Sequence, residues 1–157
     1  MGAGVTDDEG AVRQRPEHVS DELVEAIGKA SEAFEYLERA RGHLYSFHQL
    51  MGHADLTFGE AADLLDESGE TDDAQLVETD VVGRNVLQGR WSFQIVEEFD
   101  DVYYDPVRET VRGLERRHLD GMRHLYESEM KERRRTKGRR GHEARPVPSE
   151  PPEDPGP

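Results

Sequence analysis

The chain has 157 residues, of which 34% are hydrophobic and 35% charged, and its formal net charge is −15. This composition favours one domain of long helices with disordered ends over a thick globular core, and no apolar run is long enough to cross a bilayer. The absence of cysteine excludes disulfides, thiolate metal sites and cysteine nucleophiles, so we expect a cytoplasmic protein without a membrane partner.

The N-terminal part of the chain predicts a tail followed by a capped helix. Residues 1–18 are rich in Gly, Asp and Arg without a hydrophobic period, which indicates a disordered tail. A first helix should begin at Ser20, because its hydroxyl can accept a hydrogen bond from the first turn. Val19 and Val24 occupy the two positions of a hydrophobic staple around that cap. We expect this helix to run to about Gly52.

Three further helices are predicted along the chain. Residues 57–60, Thr-Phe-Gly-Glu, have the pattern of a capping box and predict a short helix that ends near Gly69. A third helix, apolar around most of its circumference, should span residues 71–103. The dipeptide Asp-Pro at 105–106 supplies an N-cap and a first-turn proline for a fourth helix. That helix should end near Arg135.

The predicted fold class is all-α. Short connections favour antiparallel neighbours, which indicates an antiparallel bundle of three long helices plus one short helix. We expect this bundle domain at residues 19–135, between disordered tails at residues 1–18 and 136–157. Part of the apolar stripe of the first helix would stay exposed, and a homodimer that covers it is therefore expected.

Two polar residues interrupt the apolar stripe of the first helix. The stripe contains Leu23, Ile27, Ala30, Phe34, Leu37, Leu44 and Met51. Arg41 and His48 occupy further positions of the same series, where polar groups need partners. In the predicted bundle His48 lies near the level of Glu129, so we predict a buried polar pair of these two residues. Candidate partners for Arg41 are Glu38, Asp80 and Glu129.

A helix crossing is the second candidate site. A chain reversal at residues 104–105 would place Gly89 almost opposite Gly121. Facing glycines either allow two helices to pack closely, which is the simpler interpretation, or leave a small cleft. Around such a cleft the candidate ligand-binding residues are Arg41, Asn85, Trp91 and His118. The arginine and the histidine would favour a small anionic ligand.

A metal site is a further alternative. Glu115 and His118 have the Glu-x-x-His spacing of di-iron and di-manganese carboxylate bundles, but the chain has one such motif and those bundles have two. The full candidate set is His48, Glu98, Glu115 and His118, with iron or manganese as the ion. In the predicted register Glu98 and His118 are roughly 10 Å apart along the bundle, too far to share one ion. We therefore expect no cofactor.

A basic segment follows the acidic body. Residues 131–145 carry 8 basic and 2 acidic groups, whereas residues 1–130 carry 12 basic and 30 acidic groups. Its cations include Lys131, Arg133, Arg134, Arg135, Lys137, Arg139 and Arg140. No aromatic residue is interleaved with them, and the acidic body repels phosphates, so we do not expect nucleic-acid binding. A frayed helix end is the preferred interpretation, with an acidic protein partner second.

Enzymatic signatures are lacking in the sequence. It contains no phosphate-binding loop, dinucleotide fingerprint, nucleophile elbow or His-Glu-x-x-His motif. We therefore predict a helical bundle that acts as a structural or protein-interaction module without catalysis. Two alternatives stay open, namely a ferritin-like metal-binding bundle and a nucleic-acid accessory factor that acts through the basic segment.

Overall fold

The fold is all-α, as predicted. A computed structural model describes residues 15–146, and the outer parts of both predicted tails, residues 1–14 and 147–157, lie outside the described residues. The helical elements are α1 (Asp21–Glu67), α2 (Thr71–Asp80), α3 (Ser92–Phe99), a π-helical segment (Asp100–Tyr104), α4 (Asp105–Leu119) and α5 (Leu125–Arg134). Among the described residues, no helix is both long and apolar enough to cross a membrane.

The chain divides into two compact units. Of the described residues, 15–29 and 113–146 form one unit, and residues 30–112 form the other. A single bundle domain at residues 19–135 stays a prediction.

The start of α1 confirms the predicted cap. The backbone N–H of Leu23 donates to the Ser20 hydroxyl at 3.2 Å, which satisfies one of the free donors of the first turn. Val19 and Val24 are both buried, as a hydrophobic staple requires. They belong to the apolar core of the first unit, which also contains Ile27, Leu119 and Leu125, with Leu23 and Met122 packed against it.

Helix α1 is longer than the sequence predicts. The predicted end near Gly52 and the predicted capping box at residues 57–60 are wrong, because the helix continues to Glu67. The Thr57 hydroxyl donates to the carbonyl oxygen of His53 at 2.9 Å instead of capping a new helix. A glycine inside a helix costs only about 1 kcal/mol relative to alanine, which the long helix tolerates.

The predicted third helix is interrupted. Residues 81–91 form a turn-rich connection between α2 and α3, in which Gly83 and Gly89 have φ angles of +72° and +70°. Leu87 and Arg90 close a tight turn through an N–H···O bond in each direction, of 3.2 and 3.0 Å. A glycine with positive φ is typical of the third position of such a turn.

The predicted chain reversal at residues 104–105 is also wrong. The chain stays helical from Ser92 to Leu119, and the π-helical segment joins α3 to α4. The backbone N–H of Asp105 donates to the carbonyl oxygen of Asp100, five residues back. We attribute this widened turn to Pro106, which has no N–H and whose ring would clash in a regular α-helix.

The predicted fourth helix is divided in two. Helix α4 ends at Leu119, and Asp120, Gly121 and His124 have positive φ angles of 51°, 74° and 57°. Such left-handed residues end a helix, since an α-helix requires negative φ. Helix α5 then ends at Arg134, one residue before the predicted end.

Antiparallel packing is present within the second unit. The rings of Phe34 and Tyr104 are 5.7 Å apart, and two further pairs join the same helices, Arg41 with Asp100 and His48 with Ser92. As the residue number rises along α1, that of the partner falls. Residues 34–48 of α1 therefore run antiparallel to α3 and the π-helical segment.

Candidate functional site

A cavity of about 620 Å³ lies in the second unit, between α1 and the connection from α2 to α3. Its apolar lining includes Met51, Ala54, Leu56, Phe58, Val81, Val86 and Trp91. The volume is within the range of about 300–1,000 Å³ found for small-molecule sites, which are mostly apolar with a few polar groups.

Four polar side chains also line the cavity, and they differ in their hydrogen bonds. A carboxylate oxygen of Asp55 accepts the backbone N–H of Gly83 at 2.8 Å, which attaches the connection to α1. The Ser92 hydroxyl shares a hydrogen bond of 2.8 Å with Nδ1 of His48. Arg84 and Asn85 lie side by side in the connection and are exposed.

The indole of Trp91 is fixed at the end of the connection. Its Nε1–H donates to the carbonyl oxygen of Gly83 at 3.1 Å, and its backbone N–H donates to the Gln94 side chain at 2.8 Å. The Gln94 contact caps the start of α3. Trp91 is 45% exposed, so one part of its ring contacts protein and the rest is open to the cavity and solvent.

The contact between His48 and Ser92 has the composition of half a catalytic triad. A nucleophilic serine needs a base that is itself oriented by a third group, usually a carboxylate. Among the described residues, His48 has no hydrogen bond to a carboxylate, and Ser92 is only 7% exposed. The pair is therefore a packing contact between α1 and α3.

A second polar cluster surrounds Arg41. Its guanidinium donates to both carboxylate oxygens of Asp100, at 2.7 and 2.8 Å. The guanidinium carbon also lies 4.5 Å from the ring centroid of Tyr104 and 4.9 Å from that of Tyr45. A two-point contact with a carboxylate and stacking on aromatic rings are the interactions for which arginine is suited.

The hydrogen bonds of this cluster shift three ionisation equilibria. Those from Arg41 lower the pKa of the Asp100 carboxyl, and the same contact raises the pKa of the guanidinium. The Tyr104 hydroxyl donates to Glu38 at 2.7 Å, and this bond, followed by burial, raises the pKa of the phenol. All four side chains are thereby used in joining α1 to the π-helical segment.

The predicted ligand-binding set is only partly assembled. Asn85 and Trp91 line the same cavity, which is the part of the prediction that the fold places together. Arg41 does not line it and is paired with Asp100, a partner absent from the three predicted for it. His118 is half-buried on α4 in the first unit. The predicted crossing of two helices at Gly89 and Gly121 is wrong, because both glycines lie in turns with positive φ and not inside helices.

The predicted pair of His48 with Glu129 stays a prediction, because the two residues lie in different units. Within its own unit, His48 bonds to Ser92, and both carboxylate oxygens of Glu129 accept hydrogen bonds from Arg15, at 2.9 and 2.8 Å. The contact with Glu129 raises the pKa of the Arg15 guanidinium. The prediction depended on the reversal at residues 104–105, where the chain stays helical. Arg15, assigned to the predicted tail, is thus attached to α5.

The four candidate metal ligands are divided between the units. His48 and Glu98 lie in the second unit, where Glu98 is paired with Arg90. Glu115, which is buried, and His118 lie in the first. Within either unit, the described residues do not bring three His, Asp or Glu ligand atoms within 4.8 Å of one another. The iron or manganese site made from this set stays a prediction.

The basic segment begins inside α5. Lys131, Arg133 and Arg134 lie in the last turn of the helix, where cations suit the negative end of the helix dipole. Beyond the helix end, Arg135 and Lys137 both contact Glu132, whose carboxyl pKa is lowered chiefly by the hydrogen bond from Arg135. Arg139 and Arg140 are exposed in the turn that follows. These contacts agree with the interpretation of the basic segment as a helix end, where the cations interact with the helix dipole and with Glu132.

The sequence reasoning missed the residues that build the cavity. The prediction placed Met51 at the end of the first helix, Asp55 in the connection after it and Phe58 in a separate short helix. It placed Arg84 in the interior of the third helix. The one usable signal was the pair Gly83 and Gly89, which brackets the connection. Each glycine inside a helical pattern weakens the prediction of a helix at that point.

Comparison of the chain with protein-family models, with curated proteins and with solved structures finds no match in any of the three.

Proposed function

We propose that the chain is a protein-interaction module without catalysis, which associates with a second copy of itself through α1. The observation that carries this proposal is an apolar stripe on α1 whose large side chains are exposed. Leu50 is 68% exposed, and Phe47 and Phe58 are exposed as well. Large apolar side chains grouped on one surface are typical of a protein interface.

The stripe consists of five positions on one face of the helix. Leu50 and Phe58 lie four residues on either side of Ala54, and Phe47 and Ala61 lie seven residues on either side. At about 100° per residue, all four fall within about 40° of Ala54 around the helix axis. The spacing is therefore symmetric about Ala54.

This symmetry favours an antiparallel pair of α1 helices. A two-fold axis at Ala54 would bring Leu50 of one copy beside Phe58 of the other, and Phe47 beside Ala61. Large side chains would then meet small or medium ones on both sides of the axis. A closed two-fold interface of this kind uses the same surface on both copies, which is the commonest arrangement in homodimers.

Charge along α1 supports the same orientation. Residues 39–48 contain Arg39 and Arg41 and no acidic residue, whereas residues 55–67 contain five acidic residues and no basic one. In an antiparallel pair the basic stretch of one copy lies beside the acidic stretch of the other. In a parallel pair the two acidic stretches would repel each other.

Sedimentation measures the association directly. We expect the full chain to dimerise over a range of about 1 to 200 μM, and Leu50→Glu and Phe58→Glu to shift it to monomer, because each substitution places a charge in the stripe. Leu76→Glu is the matched control, since Leu76 is comparably exposed but lies on α2. A monomeric full chain at 200 μM overturns the proposal.

Single cysteines test the orientation, since the chain has none of its own. Mixing Leu50→Cys with Phe58→Cys under mild oxidation should give the mixed disulfide in preference to either symmetric one, because a disulfide needs Cα atoms within about 7 Å. Symmetric disulfides at residue 50 would show a parallel pair and contradict the two-fold axis at Ala54.

A further inference from the structure

We infer that the cavity beside Trp91 binds a small amphipathic carboxylate, with its apolar body inside and its carboxylate at the rim. This inference concerns a ligand, and it is tested below in a monomeric variant, because Phe58 belongs both to the stripe of α1 and to the lining of the cavity. The inner lining is apolar and includes the side chains of Met51, Val81, Val86 and Trp91. A wholly polar ligand would lose its hydrogen bonds to water against these surfaces without replacing them.

The negative charge of the ligand follows from the two residues at the rim. Arg84 donates only to the backbone carbonyl of Asp80, at 3.3 Å, and has no ion pair with any described residue. The Asn85 side chain likewise makes no hydrogen bond within residues 15–146. An arginine with free donors beside an amide suits a carboxylate, which accepts two N–H bonds from a guanidinium.

The other polar groups of the lining do not compete for this ligand. The Asp55 carboxylate accepts the Gly83 N–H, and the Ser92 hydroxyl is bonded to His48. One carboxylate oxygen of Asp55 and the Ser92 hydroxyl are thus used by the protein and hold the walls in place. Because Asp55 adds a negative charge to the lining, a ligand with one carboxylate fits better than a ligand with two.

Trp91 provides the measurement, because it is the single tryptophan of the chain and part of the lining. Decanoate should change its fluorescence with saturation below about 1 mM, and calorimetry should give the same Kd. 1-Decanol and decylammonium have the same apolar body with a neutral or positive head. We expect both to bind at least about tenfold more weakly than decanoate, because neither forms the charged contact with Arg84.

Arg84→Gln should weaken decanoate binding by about 10- to 100-fold and leave 1-decanol binding unchanged. Arg39→Gln makes the same charge change at an exposed position of α1 outside the cavity and should have no effect. All titrations are made in full-length chain with Leu50→Glu, because Leu50 does not line the cavity. Loss of the dimer therefore cannot be mistaken for loss of the ligand.

Three results would overturn the inference. The first is no saturable decanoate binding by calorimetry up to 1 mM. The second is equal affinity for decanoate and 1-decanol, which would show that the rim does not select charge. The third is an unchanged decanoate Kd in Arg84→Gln, with circular dichroism confirming that the variant keeps its helices.

Discussion

The guanidinium of Arg41 contacts both carboxylate oxygens of Asp100, at 2.7 and 2.8 Å, and so joins the middle of α1 to the start of the π-helical segment. Both side chains are less than one third exposed. The contact therefore forms in a partly dry environment, where two matched charges and two hydrogen bonds hold a single relative position of the helices.

Asp100→Asn should lower the free energy of unfolding by about 1–3 kcal/mol, because it leaves a partly buried guanidinium with a weaker acceptor. Urea denaturation followed by circular dichroism measures the change. Glu98→Gln is the matched control, since the Arg90–Glu98 pair is about half exposed on both sides. Its loss should cost about 0.5 kcal/mol or less, as for other surface pairs. Equal effects of the two variants would contradict this assignment.

Asp100 should also make stability depend on pH at the acidic end. Its pKa is lower in the folded chain than the ordinary value of 3.8, so its contribution is present above that value. The contribution is lost as the pH falls through the lower, folded pKa. The stability difference between the wild-type chain and Asp100→Asn should therefore shrink from pH 6 to pH 2. A constant difference across this range would argue against the ion pair as its source.

Tyr104 should ionise later than an ordinary tyrosine. Its pKa is raised above 10.0 by the hydrogen bond to Glu38, because the neutral phenol is the donor. Folded-state stability should consequently fall as the pH rises above about 10. Absorbance at 295 nm should show a late tyrosine phase that Tyr104→Phe removes and that Tyr103→Phe, at an exposed position, retains. A late phase in Tyr104→Phe would assign it to another tyrosine.

Two glycine substitutions should have opposite signs. Gly89 has a φ of +70°, which an alanine adopts only with strain, so Gly89→Ala should destabilise the chain by about 1–2 kcal/mol. Gly42 lies inside α1, and an added Cβ there would meet no atom within 4 Å. Gly42→Ala should therefore stabilise by about 0.5–1 kcal/mol. Thermal unfolding measures both, and a destabilising Gly42→Ala would show a contact at that face.

Local patterns in the sequence predicted local structure well, and long-range pairing poorly. The Ser20 cap and the Val19–Val24 staple depend on neighbouring residues alone, so the pattern was sufficient for them. The partner of Arg41 depends on where the chain reverses. The Asp-Pro pair at 105–106 does begin α4, but it was also interpreted as a chain reversal, and the chain stays helical there. This one misplaced reversal set the levels from which the partners of Arg41 and His48 were predicted.

The cavity was predictable only in part for a similar reason. Asn85 and Trp91 were candidate ligand-binding residues because both are close in sequence to Gly89, where a cleft was expected. Both line the cavity. Their neighbours in space, Met51 and Asp55, come from a stretch of α1 that the predicted end at Gly52 divided. Apolar periodicity gives no signal for where a long helix ends when it carries glycine and threonine without breaking.

The π-helical segment also changes which side chains of α3 and α4 lie on the same face of the continuous helix. A turn closed by a bond five residues back contains one residue more than an α-helical turn of the same kind. The face that a residue occupies in Ser92–Phe99 is therefore about 100° out of phase with the face counted onward into α4. Deleting one residue from Asp100–Tyr104 would restore a single phase, and an alignment with a chain whose corresponding helix is α-helical throughout needs a gap at that point.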